Sequence, residues 1–294
     1  MRAVEKDGLL EIRGVADFHL DHVFDCGQCF RWEKNEDGSY SGIACGRILT
    51  VDYDDAAETL LLQGATKQDF DGIWRRYFDL DRDYALIKRR LSEKDPVIRK
   101  AISCGQGIRI LNQEKWETLV SFIISQNNNI PRIKKCIAAL AETLGTEVGE
   151  LRGKRCYNLP SPEVLAGACV EDLAPCKLGY RARYLIRTAQ QVQQEGVKRL
   201  EQLGASEVSA AEALEALQGY CGVGGKVASC ISLFSMGKTD SFPIDVWVKK
   251  AMNQLYGIQE QDTKTMAEFA RDKFGIYGGF AQQYLFYYIT HNNL

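Results

Sequence analysis

Four glycines fall within the seven residues from Gly219 to Gly225, in the stretch LQGYCGVGGKVASCISLFSMGKTDSFPID that runs from Leu217 to Asp245. Inside a helix each glycine costs ~1 kcal/mol against alanine, so the cluster marks a break. Ahead of it, AAEALEAL (Ala210 to Leu217) is a strong helix former; behind it, Lys226 to Met236 is mostly small and apolar. The expected outcome is a helix, a tight turn, and a second helix whose first amides are uncovered. Such backbone lets an anion come close, and a helix start favours negative charge. One lysine, Lys226, stands at the mouth of the second helix, and one aspartate, Asp245, follows nineteen residues later.

A lysine at a helix start most often reaches solvent or a phosphate. At Lys226, however, the helix dipole opposes a positive charge, and Val223 and Val227 flank it with apolar surface. Both effects favour a neutral amine, which is a nucleophile suited to Schiff-base formation. Asp245 lies in Ser241-Phe-Pro-Ile-Asp-Val-Trp247, where it reads as the N-cap of a following helix and Pro243 stiffens its approach. A carboxylate held rigidly near an amine can orient it, take its proton, or stabilise a cationic transition state. Capping and catalysis do not exclude one another.

The chain around this stretch changes character once. Leu9–Val15, Cys29–Glu33, Ser39–Ala44, Arg47–Tyr53 and Thr59–Gln63 have strand content, separated by turn signals such as Asn35-Glu-Asp-Gly38 and Cys45-Gly46. From Lys67 the apolar spacing becomes helical. Helices are expected to begin at Asp95-Pro96 and to cover Glu114–Ser125, Ile130–Leu144, Arg181–Gln194, Asp245–Tyr256, Thr265–Phe274 and Gly279–Ile289. The expected fold is α+β: an N-terminal antiparallel sheet domain with flanking helices over residues 1–100, then an all-α body over 101–294.

The 294 residues suffice for a substantial core, and 45% hydrophobic with 26% charged content excludes disorder. No apolar run approaches the ~20 residues of a membrane span, and the first residues lack the apolar core of a signal peptide, so a cytoplasmic protein is expected. The ten cysteines are scattered through apolar contexts and read as small buried hydrophobes kept reduced. Cys26-Gly-Gln-Cys29 has no second pair at zinc spacing. A net charge of −2 argues against strong phosphate affinity, but its distribution does not. Lys177 to Arg187 (KLGYRARYLIR) carries four positive residues and no acid, and Arg132, Lys134 and Lys135 form a second basic cluster.

GVGGKVASC followed by FPIDVW resembles the helix-hairpin-helix DNA glycosylase superfamily. Within it, Cys26-Gly-Gln-Cys-Phe-Arg-Trp32, Ser121-Phe-Ile-Ile-Ser-Gln-Asn-Asn-Asn-Ile130, Leu178-Gly-Tyr-Arg-Ala-Arg-Tyr184 and Ala281-Gln-Gln-Tyr-Leu-Phe286 resemble the 8-oxoguanine DNA glycosylases, in order along nearly the whole chain. The resemblance implies a helix-hairpin-helix glycosylase body and a bifunctional glycosylase and abasic-site lyase. By it, Lys226 attacks C1′ and forms a Schiff base, and Asp245 supports the oxocarbenium-like transition state. The hairpin at Gly222, Val223 and Gly224 holds a backbone phosphate, often with a structural monovalent cation; no catalytic metal or organic cofactor is implied.

For the base, the resemblance implies that the Gly27 carbonyl accepts from N7–H of 8-oxoguanine, a donor that guanine lacks. Gln282 and Phe286, four residues apart on one helix face, bind and stack the flipped purine, with Cys230 as the opposite wall. For the opposite strand it implies that Asn127 fills the gap, Arg132 and Arg181 reach the orphaned cytosine, and Tyr180 wedges beside it. The partner would be double-stranded DNA with 8-oxoguanine opposite cytosine, met by a monomer with no membrane attachment. Two departures stand out: Cys221 occupies a position commonly proline, and Trp247 one that is often histidine in animal enzymes. An alkylpurine-type glycosylase without a nucleophilic lysine, and a non-catalytic DNA-binding helix-hairpin-helix protein, are the alternative readings.

Overall fold

Residues 1–6 and 8–292 are described by the computed structural model. Strict alternation decides the N-terminal part. In β5 (Arg47–Asp54) Leu49 and Val51 are wholly buried, while Arg47, Asp52 and Asp54 are exposed. The same pattern buries Leu10 and Ile12 of β2 (Leu9–Arg13) and Leu60 and Leu62 of β6 (Thr59–Gln63) on one face. With β1 (Arg2–Lys6), β3 (Trp32–Lys34) and β4 (Tyr40–Ala44) they form a six-stranded antiparallel sheet in the order β1-β2-β6-β5-β4-β3. Cys45 (φ 52°) and Gly46 (φ 69°) are both left-handed, the two-residue hairpin geometry that matches strand twist.

β1 is an addition to the strands read from sequence. RAVEK has no strong apolar alternation; it pairs with β2 along the sheet edge, where charged side chains discourage further pairing. A second addition lies within the helical body. β7 (Glu147–Leu151) and β8 (Lys154–Tyr157) form a hairpin across Arg152 (φ 51°) and Gly153 (φ 75°).

Two apolar clusters result. The sheet's inner face packs on Phe24, Trp74, Tyr77 and Phe78, whereas the helices from Tyr84 onward share a larger core. Tyr84, Ile87 and Leu91 belong to that larger core, Tyr84 lying edge-on to Phe280 of the C-terminal helix with ring centroids 5.5 Å apart. The CGQC turn straddles both: Cys26 and Phe30 face the helical core, Cys29 and Trp32 the sheet core. All ten cysteines are free thiols. Burial pushes the Cys26 thiol up to about 12, so this CxxC is packing rather than redox chemistry.

What fixes the turn is Gln28, which is wholly buried. Its amide donates to Val23 O and Arg109 O, both at 2.8 Å, and accepts from Leu111 N at 2.9 Å. Its backbone carbonyl accepts from Gln113 Nε2 at 2.7 Å. Arg109, itself buried, donates to the carbonyls of Ala16, Asp17 and Asp79 and lies over the Tyr84 ring. The residue after Gly27 is therefore braced against the segment joining the two cores.

Gln28→Leu keeps the volume but takes their buried partner from the Leu111 amide and the Arg109 carbonyl, and leaves Val23 O only the Cys26 thiol. The expected loss is about 2–4 kcal/mol, read from urea unfolding. A loss below about 0.5 kcal/mol would show that the brace does not hold the turn.

Candidate functional site

The hairpin helices are Ala210–Gln218 and Gly225–Met236. Ser209 and Glu212 form a reciprocal capping box on the first. The second is capped by Gly224, which offers no side chain to its first-turn amides. Gly222 (φ +80°) is needed twice over, because a Cβ there would also lie 2.5 Å from the Tyr184 ring. Cys221 donates its amide to Gln191 Oε1 at 2.8 Å, a bond a proline cannot make, and its carbonyl accepts from Thr188 Oγ1 at 2.7 Å. This departure thus pins the turn to the helix Arg181–Glu195. Val223 departs from the expected phosphate role: its side chain is buried, and its amide donates inside the turn to Tyr220 O at 3.1 Å. Gly224 and Gly225 are exposed.

Lys226 is half-buried, its Nζ 5.4 Å from the centroid of the Phe122 ring. Phe122 packs in turn between Phe30 and Phe234, which gives the amine an apolar floor. Asp245 caps the helix Val246–Tyr256 by accepting from Val248 N at 2.8 Å. Burial pushes the Asp245 carboxyl above the ordinary 3.8, although the Val248 amide and the Lys226 charge both pull it down. The group is thus a better proton acceptor than a surface aspartate. Burial likewise pushes the Cys230 thiol up to about 11, with Lys226 opposing, so Cys230 remains a neutral thiol beside the amine.

Gly27 (φ +74°) meets Phe286 closely: a Cβ built on it would lie 3.0 Å from the ring's Cζ. Phe286 and Gln282 both sit buried on the C-terminal helix Gly278–His291. Gln282 Oε1 accepts from Gln283 Nε2 at 2.9 Å. Gly27, Lys226, Asp245 and Phe286, from four distant segments, line one cavity of about 820 Å³, which Asn127, Gly224, Trp247 and Lys249 also line. Among the described residues no group of three or more His, Cys, Asp or Glu side chains is placed to hold a metal ion.

The asparagine run places Asn127 at the cavity, exposed and left-handed at φ 46°. Arg181 behaves differently from a residue reaching for a base. It is 4% exposed, and its guanidinium donates to Leu178 O at 3.2 Å, to Gln126 O at 2.9 Å through Nε, and to Asn127 O at 2.9 Å. In this structure it braces the turn that carries Asn127, and to meet a cytosine it must release those carbonyls. Tyr180 is 48% exposed, with the Arg181 guanidinium over its ring and Tyr184 edge-on behind it. Arg132, Arg183 and Arg187 are exposed. Lys134 leaves the basic cluster, because its Nζ donates to Trp32 O at 2.9 Å.

Phe122 and Lys249 are functional-site residues that the sequence does not single out: the helical spacing of Phe122 points only to a core, and Lys249 looks like any surface lysine.

Two family models match in succession: the N-terminal domain of 8-oxoguanine DNA glycosylase over residues 12–119, and the HhH-GPD superfamily of base-excision DNA repair proteins over residues 120–275. The chain is similar to the N-glycosylase/DNA lyase OGG1 of Arabidopsis thaliana, 30% identical over 278 residues that make up 91% of this chain and 76% of that one. Among solved structures it resembles the Clostridium acetobutylicum 8-oxoguanine glycosylase/lyase bound to double-stranded DNA with cytosine opposite 8-oxoG. There the identity is 42% and the TM-score 0.94, covering 100% of this chain and 99% of that one. MBOgg1 in complex with a low-affinity DNA ligand is 46% identical with a TM-score of 0.94, covering 100% and 99%.

The raised Asp245 carboxyl makes a signed prediction. Burial disfavours the ionised form, so its ionisation destabilises the fold at neutral pH, and that penalty fades as pH falls through the folded value to the ordinary one. Asparagine also caps helices. Asp245→Asn is therefore expected to raise Tm at pH 7, with the gain disappearing below about pH 4. A lower Tm at pH 7, measured calorimetrically, would mean that the charge is stabilising.

Proposed function

The chain belongs to the 8-oxoguanine DNA glycosylase family of the helix-hairpin-helix base-excision repair superfamily, and from that premise we propose how its cavity carries out the reaction. The protein is a bifunctional enzyme: a DNA glycosylase that excises 8-oxoguanine and a lyase that cleaves at the resulting site. The observation that carries the residue-level reading is the meeting of Lys226 and Asp245 in one cavity with Gly27 and Phe286.

The flipped nucleotide's phosphate lies against the exposed amides at Gly224 and Gly225, where the helix start favours an anion. The resemblance extends to a monovalent cation at this hairpin; the carbonyls of Gly219 and Cys221, each already accepting one side-chain hydrogen bond, keep a lone pair for it. Such an ion would screen the phosphate. The purine stacks on Phe286, meets Gln282 at its Watson–Crick edge and packs against the neutral Cys230 thiol. The Gly27 carbonyl accepts from N7–H of the oxidised base and faces a lone pair on guanine, which it repels. Because a Cβ at Gly27 would press on Phe286, no larger residue leaves the slot open.

Asp245 takes the ammonium proton of Lys226 and passes it on to the departing base, so that it is again a carboxylate when it offsets positive charge on the sugar. The Lys226 amine adds to C1′ as the glycosidic bond breaks; ring opening gives the imine, and loss of the C2′ proton expels the 3′-phosphate. The alkylpurine alternative provides no use for a lysine over an aromatic floor beside an aspartate.

On the opposite strand, Asn127 fills the gap and Tyr180 wedges beside it, with exposed Arg132 as the first contact to the orphaned base. Cytosine is the partner we infer, supported by Arg132 as a donor fork and by the cytosine in the related Clostridium acetobutylicum complex.

A duplex panel tests the reading. With 8-oxoguanine opposite each of the four bases, the wild type should release the base and nick the strand, fastest opposite cytosine. Lys226→Gln should abolish nicking and slow base release by at least about a hundredfold. Nicking by that variant at the wild-type rate would remove Lys226 from the chemistry. Equal excision of undamaged guanine would remove the role of Gly27.

A further inference from the structure

Of the chain's four tryptophans, Trp32 and Trp74 are fully buried, and Trp116 is half-buried with its Nε1 donating to Pro160 O at 2.9 Å. Trp247 is 42% exposed, and Val246 beside it is 72% exposed. The indole is the largest side chain in the protein left so open, and it lies in the cavity that holds Lys226 and Asp245. Lys250 Nζ stands 5.7 Å from the ring centroid, and Lys249 lines the same cavity.

Its place beside the chemistry is set by the helix. Trp247 follows Asp245 by two residues in the first turn of the helix that Asp245 caps. Trp247 also lines the cavity that receives the extruded nucleotide, whose same-strand neighbours stay joined to it through one phosphate each. A target C1′ held between Lys226 and Asp245 therefore leaves the neighbouring nucleoside of the same strand within reach of the indole. An open aromatic face beside two lysines suits that occupant, with the ring taking the nucleoside and the cations the phosphates. Aromatic stacking of this kind does not read sequence, as an enzyme acting on a lesion in any context requires.

We propose that Trp247, with Lys250 at its face, is a stacking platform for the nucleoside adjoining the flipped nucleotide on the lesion strand, and that it tightens lesion capture without taking part in bond breaking. This inference rests on the cavity being the lesion site proposed above. The platform also explains why so large an apolar ring is left facing solvent: it is covered when DNA is bound.

Two measurements test it. In the Lys226→Gln background, which prevents turnover, adding an 8-oxoguanine duplex should quench or blue-shift tryptophan emission, and the change should vanish when Trp247→Phe is added. In single-turnover excision, Trp247→Ala should raise the half-saturating enzyme concentration about tenfold while the plateau rate stays within about twofold, and Trp247→Phe should recover most of the loss. Because the side chain is exposed, Tm should not change in either variant. An emission signal that DNA does not move, or an unchanged half-saturation in Trp247→Ala, would overturn the platform. So would a loss in Trp247→Phe as large as in Trp247→Ala, which would assign the contact to the indole N–H rather than to stacking. If the wild type does not excise 8-oxoguanine, the lesion-site reading itself fails.

Discussion

A carboxylate that burial disfavours, held at a helix start by one amide and facing one lysine, is the interaction around which this molecule is arranged. Asp245 is bound to the Val248 amide at 2.8 Å and lies under the influence of Lys226. The carboxyl has lost water, and the amine sits over the Phe122 ring at the start of a helix. A fold selected only for stability would not keep such a pair. Burial leaves the Asp245 carboxyl a better proton acceptor than a surface aspartate, which is the property the proposed chemistry uses.

The rest of the chain keeps that pair in place and brings a base to it. The glycine turn sets the second hairpin helix at a close approach to Tyr184, and the Gln28 brace holds the Gly27 carbonyl between two hydrophobic cores. The Gln28 brace is wholly buried and hydrogen-bonded on every side, whereas the glycine turn keeps its helix-start amides exposed for an anion. The chain carries a net charge of −2, and exposed arginines occur over much of its surface; Arg132, Arg183 and Arg187 are the exposed ones on the two helices that flank the Asn127 turn, where a local basic face would meet phosphates.

Much of this was legible from sequence because the signals were periodic or chemically unusual. Leu49 and Val51 of β5 advertise a strand, and a lysine after four clustered glycines advertises an anion-facing helix start. The misses have physical reasons. RAVEK pairs through its backbone at an edge and carries no apolar pattern, and the hairpin over residues 147–157 is too charged to read as strand. Gln28 resembles any turn glutamine until the fold surrounds it with two carbonyls and an amide. The resemblance sends Arg181 to the orphaned cytosine and the basic cluster includes Lys134, whereas in the fold backbone carbonyls hold both side chains. Charge in a sequence reports what a residue carries, whereas its partners are decided by packing.

Lys249 lines the same cavity as Lys226, so the decisive question is which amine meets C1′. Borohydride reduction during turnover of an 8-oxoguanine duplex, followed by proteolysis and mass spectrometry of the DNA-linked peptide, reads this out directly. A single adduct on Lys226 is expected. An adduct on Lys249 or on the N-terminal amine would contradict the role given to Lys226.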